Sequence, residues 1–352
     1  MKKIIIYFVL FTVILSGCEK IYLPKIENRE NIIVADARII NGHDENYIKL
    51  YKSLGFNDPK SIYPAVEGAA VSIIDSNNKV YQIPEESNGN FRVDFQLNPG
   101  LEYKIKIDYG GDSYESTFES VLEPPELDSI YGIQEVQVVR EGGENSVNDF
   151  RYKVGVQLYA DIQNKNELQH YRFSARKTYQ YTFPVEVMQM GELVIETMFA
   201  WKTVYPQGAY NIAAPPEYSS SVDIKKHPLF FIERSAGVTL EQLFSGWIIF
   251  LHQYSLSKST YDFYNDLNNQ LDADGRLFDP LYVQARNNLT CTNNPEQIIL
   301  GNFEITSTVE RRYYIRYISD ELGYMIKPIN HFYDIPVEGE QITVPPDFWE
   351  PK

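Results

Sequence analysis

Cysteine is the residue that this chain most conspicuously lacks. Only two cysteines, Cys18 and Cys291, occur among its 352 residues. We expect Cys18 to be consumed by a modification described below, which leaves Cys291 as a single thiol. One thiol cannot close a disulfide within the chain, so the sequence predicts a fold held together by buried apolar cores.

Basic residues are in the minority. The chain has 32 Lys and Arg against 48 Asp and Glu, and its formal net charge is −16 at pH 7. Removal of residues 1–17, which carry Lys2 and Lys3, would take this charge from −16 to −18. An acidic chain repels nucleic-acid phosphates and gains nothing from anionic lipid headgroups. We therefore expect no nucleic-acid partner and no broad binding to a membrane surface.

The chain also lacks the short sequence motifs that are typical of several enzyme classes. It has no G-x-S-x-G elbow, no P-loop and no Rossmann glycine fingerprint. None of its five histidines has a partner at H-x-x-x-H spacing; these are His43, His170, His227, His252 and His331. We therefore expect a protein that is not an enzyme and holds no cofactor. An envelope hydrolase with an unrecognised carboxylate pair stays open, because sequence alone cannot choose two of the 48 acids.

One stretch resembles part of a calcium loop. Asp272 and Asp274 stand two residues apart before Gly275, as oxygen ligands of such loops do. However, the first ligand position would be Gln270, and Leu281 occupies the position of the terminal glutamate. The sequence favours a polar turn without a metal, and Asp272 and Asp274 are the candidates if a metal binds.

The N-terminus carries the most specific pattern in the chain. Two lysines precede an apolar run at residues 4–15, which has the length of a signal-peptide core and is short for a membrane span. The run ends in Leu-Ser-Gly and then Cys18, which resembles the lipobox of bacterial lipoproteins. That resemblance implies a signal peptide at residues 1–17 and acyl chains on Cys18, which together hold firmly where one chain would not. We expect a lipid-anchored protein, with the face of the membrane left open.

Most of the remaining chain has the pattern of β-structure. A polar tether is predicted at 18–30, and about seven short alternating strands separated by turn residues follow it. This pattern favours an immunoglobulin-like or transthyretin-like sandwich over residues 31–121. Two consecutive prolines indicate a linker at 122–129, since they disfavour both a helix interior and a central strand. Residues 130–352 are predicted to form a larger β-rich domain.

One segment departs from the β-pattern. Ser259 can cap a helix running from residue 260 to about 271, in which Tyr261, Tyr264 and Leu267 recur at helical spacing. An aromatic stripe of this kind is typical of a helix that lies on a sheet, and a platform for a ligand is the alternative. The predicted fold class is therefore all-β with one helical insertion.

Several short motifs follow one another in the C-terminal half. They are YDFYNDL at 261–267, LFDP at 277–280, Asn288-Leu289, Asn294-Pro295, LGNF at 300–303 and PDFW at 346–349. With the lipobox, the sandwich and the two prolines, they resemble the Bacteroidetes outer-membrane lipoproteins grouped as domain of unknown function 4249 (DUF4249). Such proteins are often encoded beside TonB-dependent transporters. The resemblance thus implies a non-catalytic binding or accessory subunit beside such a barrel, with an unspecified ligand and no catalytic residues to transfer. An envelope assembly or scaffold subunit is the alternative.

Overall fold

The computed structural model describes residues 31–43, 45–55, 62–123, 127–140, 150–163, 169–205, 208–217, 222–233, 246–271, 285–319, 322–328 and 341–342. The predicted signal peptide and tether lie outside these residues, as do Cys18, Asp272, Asp274 and His331. The predictions made for them stay predictions.

The described residues form twenty strands and one helix. In chain order they are β1 (Ile33–Asn41), β2 (Asn46–Lys52), β3 (Ala70–Asp75), β4 (Val80–Ile83), β5 (Glu85–Ser87), β6 (Asn90–Val93), β7 (Glu102–Tyr109), β8 (Asp112–Ser116), β9 (Glu119–Ser120), β10 (Ser129–Arg140), β11 (Phe150–Ile162), β12 (His170–Gln189), β13 (Glu192–Val204), β14 (Asn211–Ala213), β15 (Ile224–Glu233), β16 (Trp247–Leu256), α1 (Lys258–Leu271), β17 (Leu289–Cys291), β18 (Ile299–Ser319), β19 (Gly323–Pro328) and β20 (Gln341–Ile342). The predicted fold class, all-β with one helical insertion, is confirmed.

The strands form three sheets. An eleven-stranded sheet runs in the order β20-β13-β12-β16-β18-β1-β2-β6-β5, with β14 beside β12 and β19 beside β18. A six-stranded sheet runs in the order β17-β8-β7-β3-β4, with β9 beside β7, and a three-stranded sheet runs β10-β11-β15. The two smaller sheets contribute to different apolar cores.

The first core lies between one end of the large sheet and the six-stranded sheet. Strand β1 alternates, so that Ala35, Ala37 and Ile39 are buried in this core while the residues between them face the other way. The later strands β17 and β18 add Leu289 and Phe303 to the same core. The sandwich therefore includes residues well beyond 31–121, the range in which the sequence predicts it.

Strand β18 joins the two halves of the structure. Its first half pairs in parallel with β1, from Ile33 opposite Ile299 to Asn41 opposite Ser307, across a sequence separation of 266 residues. Its second half pairs antiparallel with β16. There the large sheet packs with the three-stranded sheet around a second core, to which Val156, Leu158 and Ile249 belong. One strand of 21 residues thus serves both cores.

Helix α1 begins earlier than the sequence predicts. The hydroxyl oxygen of Ser257 accepts a hydrogen bond from the backbone N–H of Thr260 at 3.2 Å, so Ser257 caps the helix. The predicted cap, Ser259, is wrong. Its hydroxyl donates instead to the Glu119 carboxylate of β9 at 2.7 Å, a contact between distant segments that local spacing cannot reveal.

The parallel pairing of β1 and β18 depends on a glycine. Gly301 has φ +98°, and a Cβ added there would lie 1.9 Å from the carbonyl oxygen of Ala35. A side chain at this position would force the two strands apart and would also occupy a strained backbone conformation.

We predict that Gly301→Ala lowers the free energy of unfolding by about 2 kcal/mol more than Gly42→Ala does. Gly42 is the matched control because it shares the positive φ, +81°, but a Cβ there would have no neighbour within 4 Å. Denaturant titration of both variants measures the difference. Equal losses would show that the close approach of the strands does not matter.

Candidate functional site

A cavity of about 510 Å³ lies between helix α1 and the outer face of the large sheet. Strands β1 and β18 contribute Arg38 and Glu304 to its wall, and the helix contributes Phe263 and Tyr264. Its volume falls within the range of roughly 300–1,000 Å³ that is usual for small-ligand sites. Concave sites of this size with few, specific polar groups are the usual candidates for ligand binding.

Strand alternation and the parallel register place the charged residues in this wall. Because Ala35 and Ala37 face the first core, Asp36 and Arg38 face the cavity. The register sets Arg38 opposite Glu304 on β18. The helix lies across β18 and brings Tyr264 onto the same carboxylate.

Glu304 is the centre of a buried cluster that we call the Glu304 cluster: Glu304, Tyr264, Arg38 and Arg172. The Tyr264 hydroxyl donates to Glu304 Oε2 at 2.6 Å. Arg38 Nε lies 3.4 Å from the same oxygen as an ion pair without hydrogen-bond alignment, and Arg172 Nη2 donates to Oε1 at 3.5 Å. The Glu304 side chain is only 4% exposed, so these partners replace the water that it has lost.

The electrostatics of the cluster keep Tyr264 as a hydrogen-bond donor. Burial raises the pKa of the Tyr264 phenol, and the adjacent Glu304 carboxylate raises it further, although Arg172 and Arg38 act in the opposite direction. The Arg172 guanidinium also lies 4.1 Å from the centre of the Tyr254 ring, a cation–π contact. The donors around Glu304 therefore form a fixed set at neutral pH.

Glu304 and Arg38 form what we call the polar floor of the cavity, and aromatic rings border the cavity beside them. Tyr210 packs against Tyr264 with their ring centres 4.7 Å apart. Asn268 of the helix holds the Tyr210 backbone, accepting from its N–H at 2.7 Å and donating to its carbonyl oxygen at 2.8 Å. Tyr51 and Phe263 also line the cavity. Aromatic faces above hydrogen-bonding groups suit a ligand with both an apolar face and a polar edge.

Asparagine side chains support the floor. Asn302 donates to the Thr260 hydroxyl at 3.1 Å, which ties β18 to the helix, and its Oδ1 has no hydrogen-bond partner among the described residues. Asn288 donates to Glu119 at 2.9 Å and accepts from the Phe303 N–H at 2.9 Å. Asn302 also lines the cavity, so the contact between β18 and the helix fixes part of the cavity wall.

His170, His227 and His252 each contact a different side chain. His227 Nε2 is 2.8 Å from Asn211 Oδ1, and burial lowers its pKa to about 4. His252 pairs with Glu310 at 3.0 Å, and burial lowers its pKa although the carboxylate opposes the shift. His170 packs against the Tyr261 ring. In the described ranges, no three His, Cys, Asp or Glu side chains are grouped to hold a metal ion, and Cys291 is a buried free thiol.

Sequence reasoning identified part of this site. Tyr264 and Leu267, which line the cavity, belong to the predicted aromatic stripe. The stripe packs on the sheet as predicted, and its alternative role as a platform for a ligand stays a prediction. Arg38, Arg172 and Glu304 were missed. The available signal was the presence of charged residues at alternating strand positions, but only the fold could bring them together.

The described residues form two packed β-units with a cavity under helix α1. The chain belongs to the family described as domain of unknown function (DUF4249), whose model matches residues 19–312, so the predicted family membership is confirmed. No curated protein and no solved structure matches the chain. Within the part of the chain described here, no helix is long and apolar enough to cross a bilayer.

We predict that Tyr264→Phe lowers the free energy of unfolding by about 2 kcal/mol, because it removes a hydrogen bond to a buried carboxylate. Tyr261→Phe on the same helix is the matched control and should change stability by less than about 0.5 kcal/mol. Denaturant unfolding of both variants checks this. Similar small losses would mean that the Glu304 cluster does not hold the helix on the sheet.

Proposed function

We propose that this protein is a lipid-anchored outer-membrane binding protein, without catalytic activity, that acts as an accessory subunit beside a TonB-dependent transporter. The observation that carries the proposal is the cavity under helix α1, with its aromatic border and its preset polar floor. The lipobox-like sequence before Cys18 supports the anchor, and the family resemblance supports the transporter partner.

The chemistry of the floor suggests the kind of ligand. Both oxygens of Glu304 already have partners, whereas Asn302 Oδ1 has none among the described residues. A ligand that donates a hydrogen bond to Asn302 and lays an apolar face on Tyr210 or Phe263 would suit these groups.

The same floor favours binding over hydrolysis. A hydrolase of the carboxylate-pair type needs one carboxyl group to transfer a proton and another to attack or to activate water. Asp36 and Glu304 both line the cavity, but Glu304 is held by Tyr264 and two arginines. These contacts suit a structural and recognition role for Glu304, so the hydrolase is the less favoured alternative.

We predict that Cys18→Ala releases the protein from outer membranes, because no acyl chain could then be attached. Cys291→Ala, which changes the buried thiol, is the control and should fractionate with the membrane as wild type does. Membrane flotation followed by immunoblotting measures both. Flotation of the Cys18 variant with outer membranes would exclude lipidation as the anchor.

We predict that a gentle-detergent pull-down of the tagged protein from native outer membranes recovers a TonB-dependent barrel together with a bound small molecule. Leu267→Trp places a large ring in the cavity and should abolish recovery of the small molecule while the barrel is retained. Asn269→Trp is the matched control, since Asn269 is exposed on the same helix and does not line the cavity. Mass spectrometry identifies both components.

The outcomes of the pull-down separate the alternatives. Loss of the small molecule in both tryptophan variants would place its site elsewhere. Recovery of the wild-type protein without a barrel would contradict the accessory role. Recovery of a barrel without any small molecule would favour the scaffold.

A scaffold subunit is the second candidate, and the long β12–β13 ribbon favours it. Beyond Tyr179, β12 pairs only with β13 among the described strands, and the end of the ribbon exposes Met188, Met190, Leu193 and Ile195. Residues 184–201 also carry three glutamates and no lysine or arginine. An apolar tip with acidic flanks suits docking to an apolar groove with a basic border on a barrel.

A further inference from the structure

A lysine interrupts the core-facing row of strand β12. Phe173 and Ala175 are buried in the second core, and Tyr179 packs against it. By strand alternation Lys177 falls on the same side, between Ala175 and Tyr179. Burial of an ammonium group in such a row costs free energy unless hydrogen-bond acceptors or negative charges replace the water that it loses.

Lys177 is poorly compensated within the part of the chain that the structure describes. Its Nζ donates one hydrogen bond, to the carbonyl oxygen of Phe231 at 3.3 Å, although an ammonium can donate three. Burial lowers the pKa of Lys177, while the more distant Glu233 opposes the shift. The group thus lacks close negative charge.

The carboxylate of Glu233, near Lys177, is already paired with other cationic side chains. Glu233, whose side chain is 12% exposed, accepts from Arg151 at 2.8 Å and lies 3.9 Å from Lys153 Nζ. Arg151 and Lys153 therefore both pair with the Glu233 carboxylate, and Lys177 lies near enough to feel its charge. Two lysines and one carboxylate line the cavity described next, a balance opposite in sign to the net charge of −16 of the whole protein.

This group of charges borders a second cavity, of about 280 Å³, between the three-stranded sheet and the large sheet. Lys153, Lys177 and Glu233 line it together with the rings of Tyr179, Phe231 and Trp247. It therefore combines positive charge with aromatic walls. It shares no lining residue with the cavity under helix α1.

We propose that this second cavity binds a small organic monocarboxylate with an aromatic or apolar body. The carboxylate would accept hydrogen bonds from the Lys177 and Lys153 ammonium groups, and the body would lie against Tyr179 and Trp247. The inference is independent of the function proposed for the first cavity.

Benzoate is the probe, and benzyl alcohol is its uncharged counterpart of similar shape. Isothermal titration of the purified full-length protein should give saturable benzoate binding in the millimolar range, as suits so small a ligand, and no detectable binding of benzyl alcohol. Lys177→Met should weaken benzoate binding by about tenfold or more, because it removes a charged hydrogen bond. Lys225→Met makes the same charge change on an exposed residue of β15 and should leave the affinity within about twofold.

Thermal melting of each variant shows that it is folded, and Lys177→Met should melt no lower than wild type because it removes a poorly compensated ammonium from the core side. Three results would overturn the proposal. They are absence of benzoate binding to wild type, equal affinity of wild type and Lys177→Met, and loss of benzoate binding in Leu267→Trp, which would assign the ligand to the first cavity.

Discussion

The parallel pairing of β1 with β18 is the constraint on which the rest of the structure depends. It joins strands that are 266 residues apart in the chain. It also completes the first core with residues of β17 and β18, which come late in the chain. The pairing is possible because Gly301 lets the backbone of β18 approach Ala35. The same register sets Arg38 opposite Glu304, so the close approach of the strands also builds the floor of the cavity.

Burial of Glu304 links the sheet to the helix. A carboxylate that is 4% exposed must be compensated, and the compensation comes from three different elements: β1, β12 and α1. Removal of one partner would leave charge buried without its counterpart. This requirement explains why the helix lies across β18 at this position, and the cavity is the space left beside that contact.

The two cavities differ in which of their polar groups lack hydrogen-bond partners. Under helix α1 the Glu304 carboxylate is partnered, whereas Asn302 Oδ1, an acceptor, and Arg38 Nε, a donor, have no hydrogen-bond partner among the described residues. Between the three-stranded sheet and the large sheet the Glu233 carboxylate is also partnered, and the group with few partners is a donor, Lys177. The ligands proposed for the two cavities therefore differ in the polar group that they would present.

The sequence by itself determined what depends on near neighbours. Alternation of apolar and polar residues predicted short strands in the N-terminal part of the chain, and helical spacing predicted α1 with Tyr264 and Leu267 on one stripe. Only the tertiary structure decided which distant segments pair. It pairs β1 with β18 and brings Arg38 and Arg172 to Glu304. It also pairs Ser259 with Glu119, and Ser257 is the residue that caps the helix. Local periodicity fixes which face of a strand is buried, but it carries no information about which distant strand completes the sheet, and both cavities lie where such strands meet.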